Sequence, residues 1–324
     1  MGRVAASVLV LIAATALTFV LVDGAGDPLD RLRIEQPPVP EQTINVTRDR
    51  LYLDRGVVER YWLWLTGLGD DHGDIGILQG KWGPSVRDQD IGGEIAQRSL
   101  VSFRLVALAT VLTLLLGVAT GVLSAVRRYT LLDGVGILLG YVALALPTFW
   151  VASFVKEGAI WVNDRVGHRL FYTIAESSPG GSGPADVIGH LALPTLVIVL
   201  TGYAAISRFQ RIATIEVLES DFVRLARSKG LRAGAVLRRH ALRTSLIPTT
   251  TLAALTVSGA ITGTVIVEET FRWRGLGSYL LSSVAAHDTY AVMGFVLLSG
   301  ALVVLANIVA DLALVVLDPR TRRG

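Results

Sequence analysis

Cysteine is absent from the chain, so disulfide cross-links and thiolate metal sites are excluded. Histidine is sparse: His72, His168, His190, His240 and His287 lie far apart, with no H-E-x-x-H pair or other metal-ligand spacing. Lysine is nearly missing, with 3 residues against 27 arginines. The only Gly-Lys pair, Gly80-Lys81, is followed by Trp82, so there is no G-x-x-x-x-G-K-[ST] phosphate loop. The glycine-rich stretch "SPGGSGP" at 178–184 follows no strand and reads as a flexible exterior loop. These absences argue against an enzyme with its own metal or nucleotide site. Any ATP that drives the work of this chain binds another subunit.

What the chain has is apolar length. Its mean hydropathy is +0.54 and 52% of its residues are hydrophobic, too apolar for an ordinary soluble domain. About 20 apolar residues cross a hydrocarbon layer of roughly 30 Å. Stretches 4–22, 105–126, 134–155, 246–267 and 290–310 meet that length without a charged residue, and 187–207 meets it with His190 near one boundary. The expected fold is therefore an all-α integral membrane protein of six transmembrane helices. Ala14-Thr15-Ala16 resembles a signal cleavage site, but the uncharged run of 19 residues around it exceeds a usual signal core, so the first helix is expected to be retained. Polar groups at membrane depth are few: Arg104, Asn307 and Asp311. A self-sufficient ion-coupled carrier needs relays of buried carboxylates or histidines, which this inventory does not offer.

Loop charges alternate in sign. The connection 127–133 has two bases and one acid, and 208–245 has nine bases and three acids. The tail after Leu317 carries Arg320, Arg322 and Arg323 against Asp318. On the other side, 156–186 has three bases and four acids, 268–289 two and three, and 23–98 nine and fourteen. Short basic loops stay cytoplasmic, so both termini are expected inside. The expected organisation is helix one at 1–22, an extracytoplasmic segment at 23–98, a core of helices two to six at 99–317 with the cytoplasmic loop 208–245, and a cytoplasmic tail at 318–324. In the exterior segment, Tyr61, Trp62, Trp64, Leu65 and Leu68 fit one apolar helix stripe. That stripe is either an interfacial aromatic anchor or part of a small folded cap.

Glycine pairs four residues apart, Gly117/Gly121, Gly136/Gly140 and Gly259/Gly263, let helix backbones approach closely in lipid. Pro147 and Pro194 fall inside the third and fourth predicted helices and should bend them, and Pro248 is placed to open the fifth.

The most basic stretch is "DFVRLARSKGLRAGAVLRRHALRTSLIP" at 221–248, with seven Lys or Arg and one acid. Ser220 or Asp221 can cap a helix that runs to Lys229, with Phe222, Leu225 and Ala226 as a narrow apolar stripe and Arg224, Arg227, Ser228 and Lys229 around it. Gly230 supplies the left-handed turn that ends a helix. A second short basic helix is expected over 233–243. Arginines resting on lipid head groups would explain the charge alone. A capped amphipathic helix with a glycine stop fits a docking knob for a soluble partner.

Ala226-x-x-x-Gly230 followed by Ile247-Pro248 resembles the EAA-type loop of importer permeases of the ATP-binding-cassette class. "LYLDRGVVERYWLWL" with "HGDIG", then "ALPTFWVA", "HLALPTL", "RLARSKGL…VLRRHALRTSLIP", "VEETFRWRGLG" and "DLALVVLDPR" resemble the B-type permease of oligopeptide and dipeptide importers, in order along nearly the whole chain. Asp221-Phe222 stands where that family usually has Glu-Ala-Ala or a tyrosine. The resemblance implies a multi-pass subunit of the bacterial plasma (inner) membrane that forms half of a peptide pathway. Its implied partners are a homologous second permease subunit, cytoplasmic ATPase subunits, an extracytoplasmic peptide-binding protein, peptide substrate and membrane lipid, without nucleic acid. It implies no cofactor on this chain, with ATP and Mg held by the ATPases. Asp221, Phe222, Arg224, Leu225, Ala226, Lys229 and Gly230 would couple to the ATPase. Pro147, Phe149 and Pro194 would bend or gate the pathway, and Glu268, Glu269, Phe271 and Trp273 would meet the binding protein. Alternative readings are another cargo (nickel chelate, glutathione or opine), a membrane scaffold, or an ion-coupled carrier.

Overall fold

The computed structural model describes residues 2–34, 39–181 and 183–317. The tail at 318–324, with its three arginines, lies outside the described residues. The helices in chain order are α1 (Gly2–Asp23), α2 (Asp30–Ile34), α3 (Glu41–Arg50), α4 (Val57–Thr66), α5 (Ile91–Val126), α6 (Leu131–Ala145), α7 (Thr148–Val166), α8 (Pro184–Leu218), α9 (Asp221–Ser228), α10 (Ala233–Val236), α11 (Leu242–Thr270), α12 (Leu276–Ala285) and α13 (Thr289–Leu317). Two short strands, β1 (Ile75–Gly76) and β2 (Lys81–Trp82), pair antiparallel.

Among the described residues, five helical stretches are long and apolar enough to cross a bilayer: 5–23, Ile91–Val126, Pro184–Leu218, 233–261 and Thr289–Leu317. The sixth expected span is not one helix. It is divided between α6 and α7, which bend by 107° at the break. Pro147 sits at that break, N-capping α7, so the reading of Pro147 as internal to a single third helix is corrected. The residue before a proline disfavours helical backbone, and Leu146 is extended accordingly. Pro248 also differs from expectation. It lies inside α11, and the basic segment before it continues as α10 and a π-helical turn at Leu237–Ala241, so no separate helix ends at Arg243.

The chain folds as two compact units. The first comprises residues up to 102 and 274–304. Its core gathers Phe19, Tyr52, Leu63, Trp64, Ile75, Tyr279 and Tyr290. Tyr61 meets the Phe19 ring edge-on at 5.7 Å, and the buried Arg60 pairs with Asp23. Of the predicted stripe, Tyr61, Trp64 and Leu65 face this core, whereas Trp62 is exposed and Leu68 lies beyond the helix end at Gly67. The aromatic stretch is thus part of a folded unit, not an isolated anchor. Burial opposes ionisation of Asp70, but hydrogen bonds from the Tyr52 hydroxyl and the Gly73, Ile75 and His72 amides prevail and hold its carboxyl below the usual range. Asp288 is buried and its carboxyl is pushed up, although Ser85, Ala291 and Val86 donate to it.

The second unit, 103–273 with 305 onward, is organised around α8. A Cβ added at Gly117 would stand 2.6 Å from Ile206, and one at Gly121 would strike the Ser207 carbonyl and stand 2.8 Å from the Gln210 Cβ. The second half of α5 therefore lies against α8 at backbone distance. Among the described residues, a Cβ added at Gly259, Gly263 or Gly136 would meet nothing within 4 Å, and one at Gly140 only Ala204 at 3.8 Å. At 1.5 Å per residue, α8 is about 52 Å long and outruns a hydrocarbon layer of roughly 30 Å.

Candidate functional site

The basic loop forms as a helical knob between α8 and α11. Ser220 is extended at the N-cap of α9, but its hydroxyl donates back to the Val217 carbonyl and does not cap the helix. Asp221 pairs with Arg224 at 2.8 Å across the first turn, an exposed contact of small energetic weight. Lys229 closes the helix, and Gly230 follows at φ +82°, where a side chain would be strained. The predicted glycine stop is in place.

The apolar stripe divides between two faces. Ala226 is buried, beside Val223, in a cluster with Val236, Val217, Leu218 and Leu231. Phe222 and Leu225 point outward at 45% and 57% exposure, flanked by exposed Asp221, Arg224, Arg227 and Lys229. Val223 and Ala226 seat the knob on its own chain. Phe222 and Leu225 remain as a bare apolar pair inside a charged ring. Val223 was missed in the sequence because the stripe at 222, 225 and 226 already satisfied helical spacing.

Two ion pairs tie the end of α8 that leads to the knob. Arg211 on α8 holds Asp133 of α6 through both carboxylate oxygens, each at 2.8 Å, and Ser124 and the Tyr129 amide donate to the same carboxylate. Asp133 is 3% exposed, so loss of Arg211 alone would strand a buried charge, the costly way to break such a pair. Arg128 pairs with Glu219 at 2.5 Å, next to a cavity of about 380 Å³ lined in part by Ile215, Leu218, Arg227 and Gly234. A second cavity of about 440 Å³, with Tyr141 and Arg208 on its wall, separates parts of α5, α6 and α8.

The other predicted positions do not gather at the knob. Pro147 marks the α6–α7 break, and Phe149 just after it is half-exposed beside Trp150. Pro194 is buried inside α8. Of the loop group, Glu268, Phe271 and Trp273 are at most 2% exposed and only Glu269 lies on the surface. The chain folds back there: the Trp273 amide donates to the Glu268 carbonyl at 2.8 Å, and the Ala175 amide to the Phe271 carbonyl at 2.9 Å. A loop position and an aromatic side chain suggested a contact surface; the turn instead encloses both rings, which corrects the expectation that they are accessible.

Comparison with known proteins agrees along the chain. Residues 117–323 match the family model described as binding-protein-dependent transport system inner membrane component. The oligopeptide transport system permease protein of Mycobacterium tuberculosis is 38% identical over 320 residues, covering 97% of this chain and 96% of that protein. The dipeptide transport system permease protein of Escherichia coli is 30% identical over 95% of this chain and 94% of its own length. An oligopeptide transport system permease protein of Bacillus subtilis is 29% identical over 98% and 97%.

Proposed function

The chain belongs to the family of binding-protein-dependent transport system inner membrane components, and on that premise we propose that it is the membrane-spanning permease subunit of an ATP-driven peptide importer. Full-length similarity to relatives named for oligopeptide and dipeptide transport supports the cargo class. The observation that carries the coupling role is the divided face of α9: Val223 and Ala226 anchor it, while Phe222 and Leu225 stand free on a knob ended by Gly230.

In this reading the basic loop is cytoplasmic and α9 enters a groove on an ATPase subunit. Phe222 and Leu225 become the buried centre of that contact. Arg224, Arg227 and Lys229 form its charged rim beside Asp221, and Gly230 gives the tight turn. ATP, with Mg, binds and is hydrolysed on the partner. The segment 23–98 lies outside, where a binding protein delivers peptide, and a homologous second permease completes the pathway. Closure of the ATPases pushes both knobs, and the spans swing between inward-open and outward-open states. The α6–α7 break at Pro147 and the internal Pro194 of the continuous α8 are where the spans accommodate that swing. Glu269 is the member of the 268–273 group placed to meet the binding protein.

Leu225→Asp is the direct test. Removing a central apolar anchor costs about 2 kcal/mol or more at such an interface, so the variant should assemble in the membrane yet lose its ATPase on purification and its peptide uptake in a deletion strain. An uptake panel containing defined peptides, glutathione, opines and nickel chelates reads the cargo. Normal ATPase capture and uptake by Leu225→Asp would remove α9 from the coupling role.

A further inference from the structure

Knob movement must reach two spans, because α8 leads into α9 and α11 leads out of it. The limb on the α11 side is weak in its backbone. A π-helical turn occupies Leu237–Ala241, and Pro248 inside α11 lacks the N–H that would pair with the Thr244 carbonyl. A push through such a limb is absorbed as bending unless something ties it sideways.

The tie is a polar cluster enclosed between α8 and α11. Gln210, Thr214 and Ser245 are 0% exposed and Thr249 is 2% exposed. The Gln210 amide donates to Thr214 Oγ1 and to Ser245 Oγ, both at 3.0 Å, and its carbonyl accepts from Thr249 Oγ1 at 2.6 Å. Ser245 and Thr249 lie on either side of Pro248, so the amide grips α11 just below and just above its weakest backbone point. The same turn of α8 carries Arg211, held by Asp133, and receives the backbone of α5 at Gly121. One turn of α8 thus joins α5, α6 and α11.

We propose that Gln210 is the positioning residue that makes α8 and α11 move as one body, so that displacement of α9 is delivered to both spans. The proposal rests on the importer reading above. It is separable from a purely structural role. Ser245 and Thr249 keep hydrogen-bond acceptors in their own helix, the Leu242 carbonyl at 3.1 Å and the Ser245 carbonyl at 3.4 Å. Leucine at 210 keeps volume and leaves those hydroxyls satisfied, so Gln210→Leu should fold while the link between helices is gone.

The experiment uses the assembled importer, with its ATPases and binding protein, in proteoliposomes supplied with a labelled peptide that the wild type imports. The readout is peptide imported per ATP hydrolysed. Gln210→Leu should hydrolyse ATP at close to the wild-type rate while importing about tenfold less peptide per ATP, a coupling loss of ordinary size. The natural absence of cysteine permits a second arm. A Gln210→Cys/Ser245→Cys pair should be uncoupled in the same way, and joining the two thiols with a short bifunctional thiosulfonate should restore import. Wild-type coupling in Gln210→Leu, or loss of import on joining the thiols, overturns the proposal. Failure of the wild-type assembly to import any peptide with ATP would instead defeat the importer reading.

Discussion

Gly117/Gly121 on α5 and Gly259/Gly263 on α11 carry the same spacing in apolar helices, yet they meet different surroundings. The first pair lies against α8, with Gly121 facing backbone and Gly117 facing the Ile206 side chain. A Cβ added at either glycine of the second pair would meet none of the described residues within 4 Å. Spacing of small residues allows close approach without saying what approaches. In this chain one such seam is used internally, while the other is left bare on the helix that leaves the knob.

A graded set of alanine substitutions breaks or sharpens that contrast, read as thermal stability of the purified subunit in detergent. Gly121→Ala should cost most, about 2–3 kcal/mol, because the new methyl meets the Ser207 carbonyl and the Arg211 amide, and helix backbones must separate. Gly117→Ala should cost somewhat less, about 1–2 kcal/mol: the Ile206 Cγ2 at 2.6 Å can rotate aside, but its Cβ at 2.7 Å and the Tyr203 carbonyl at 3.3 Å move only with the α8 backbone. Gly259→Ala should be neutral or stabilising by up to about 1 kcal/mol, the ordinary helix advantage of alanine over glycine. Equal losses at Gly121 and Gly259 would contradict the contrast. A Gly259→Ala variant that is stable alone but assembles poorly would place another helix on that face.

Much of the architecture was legible because it follows from length and punctuation. Apolar runs located the spans, and Gly230 marked where α9 stops, since φ +82° is a backbone state that glycine adopts without strain. The inward face of α9 was not legible. Val223 and Phe222 are adjacent and both apolar, and only the cluster of Val217, Leu218, Leu231 and Val236 decides which one turns inward. Pro147 announced a disturbance but not its size, because a proline within a span can bend a helix or divide it. Glu268, Phe271 and Trp273 misled for a related reason: a short loop can enclose its own aromatic rings when neighbouring backbone folds over it. Gln210 carried no signal at all. Its importance comes from three hydroxyls up to 39 residues away in sequence, a juxtaposition that no local pattern encodes.

The bare ring of Phe222 and methyls of Leu225 have a thermal consequence. Apolar groups that leave water on contact lower the heat capacity, and near room temperature the gain comes chiefly from released solvent entropy. Whatever covers this pair is therefore held more firmly in warmth than near freezing, so chilled purification should shed it first.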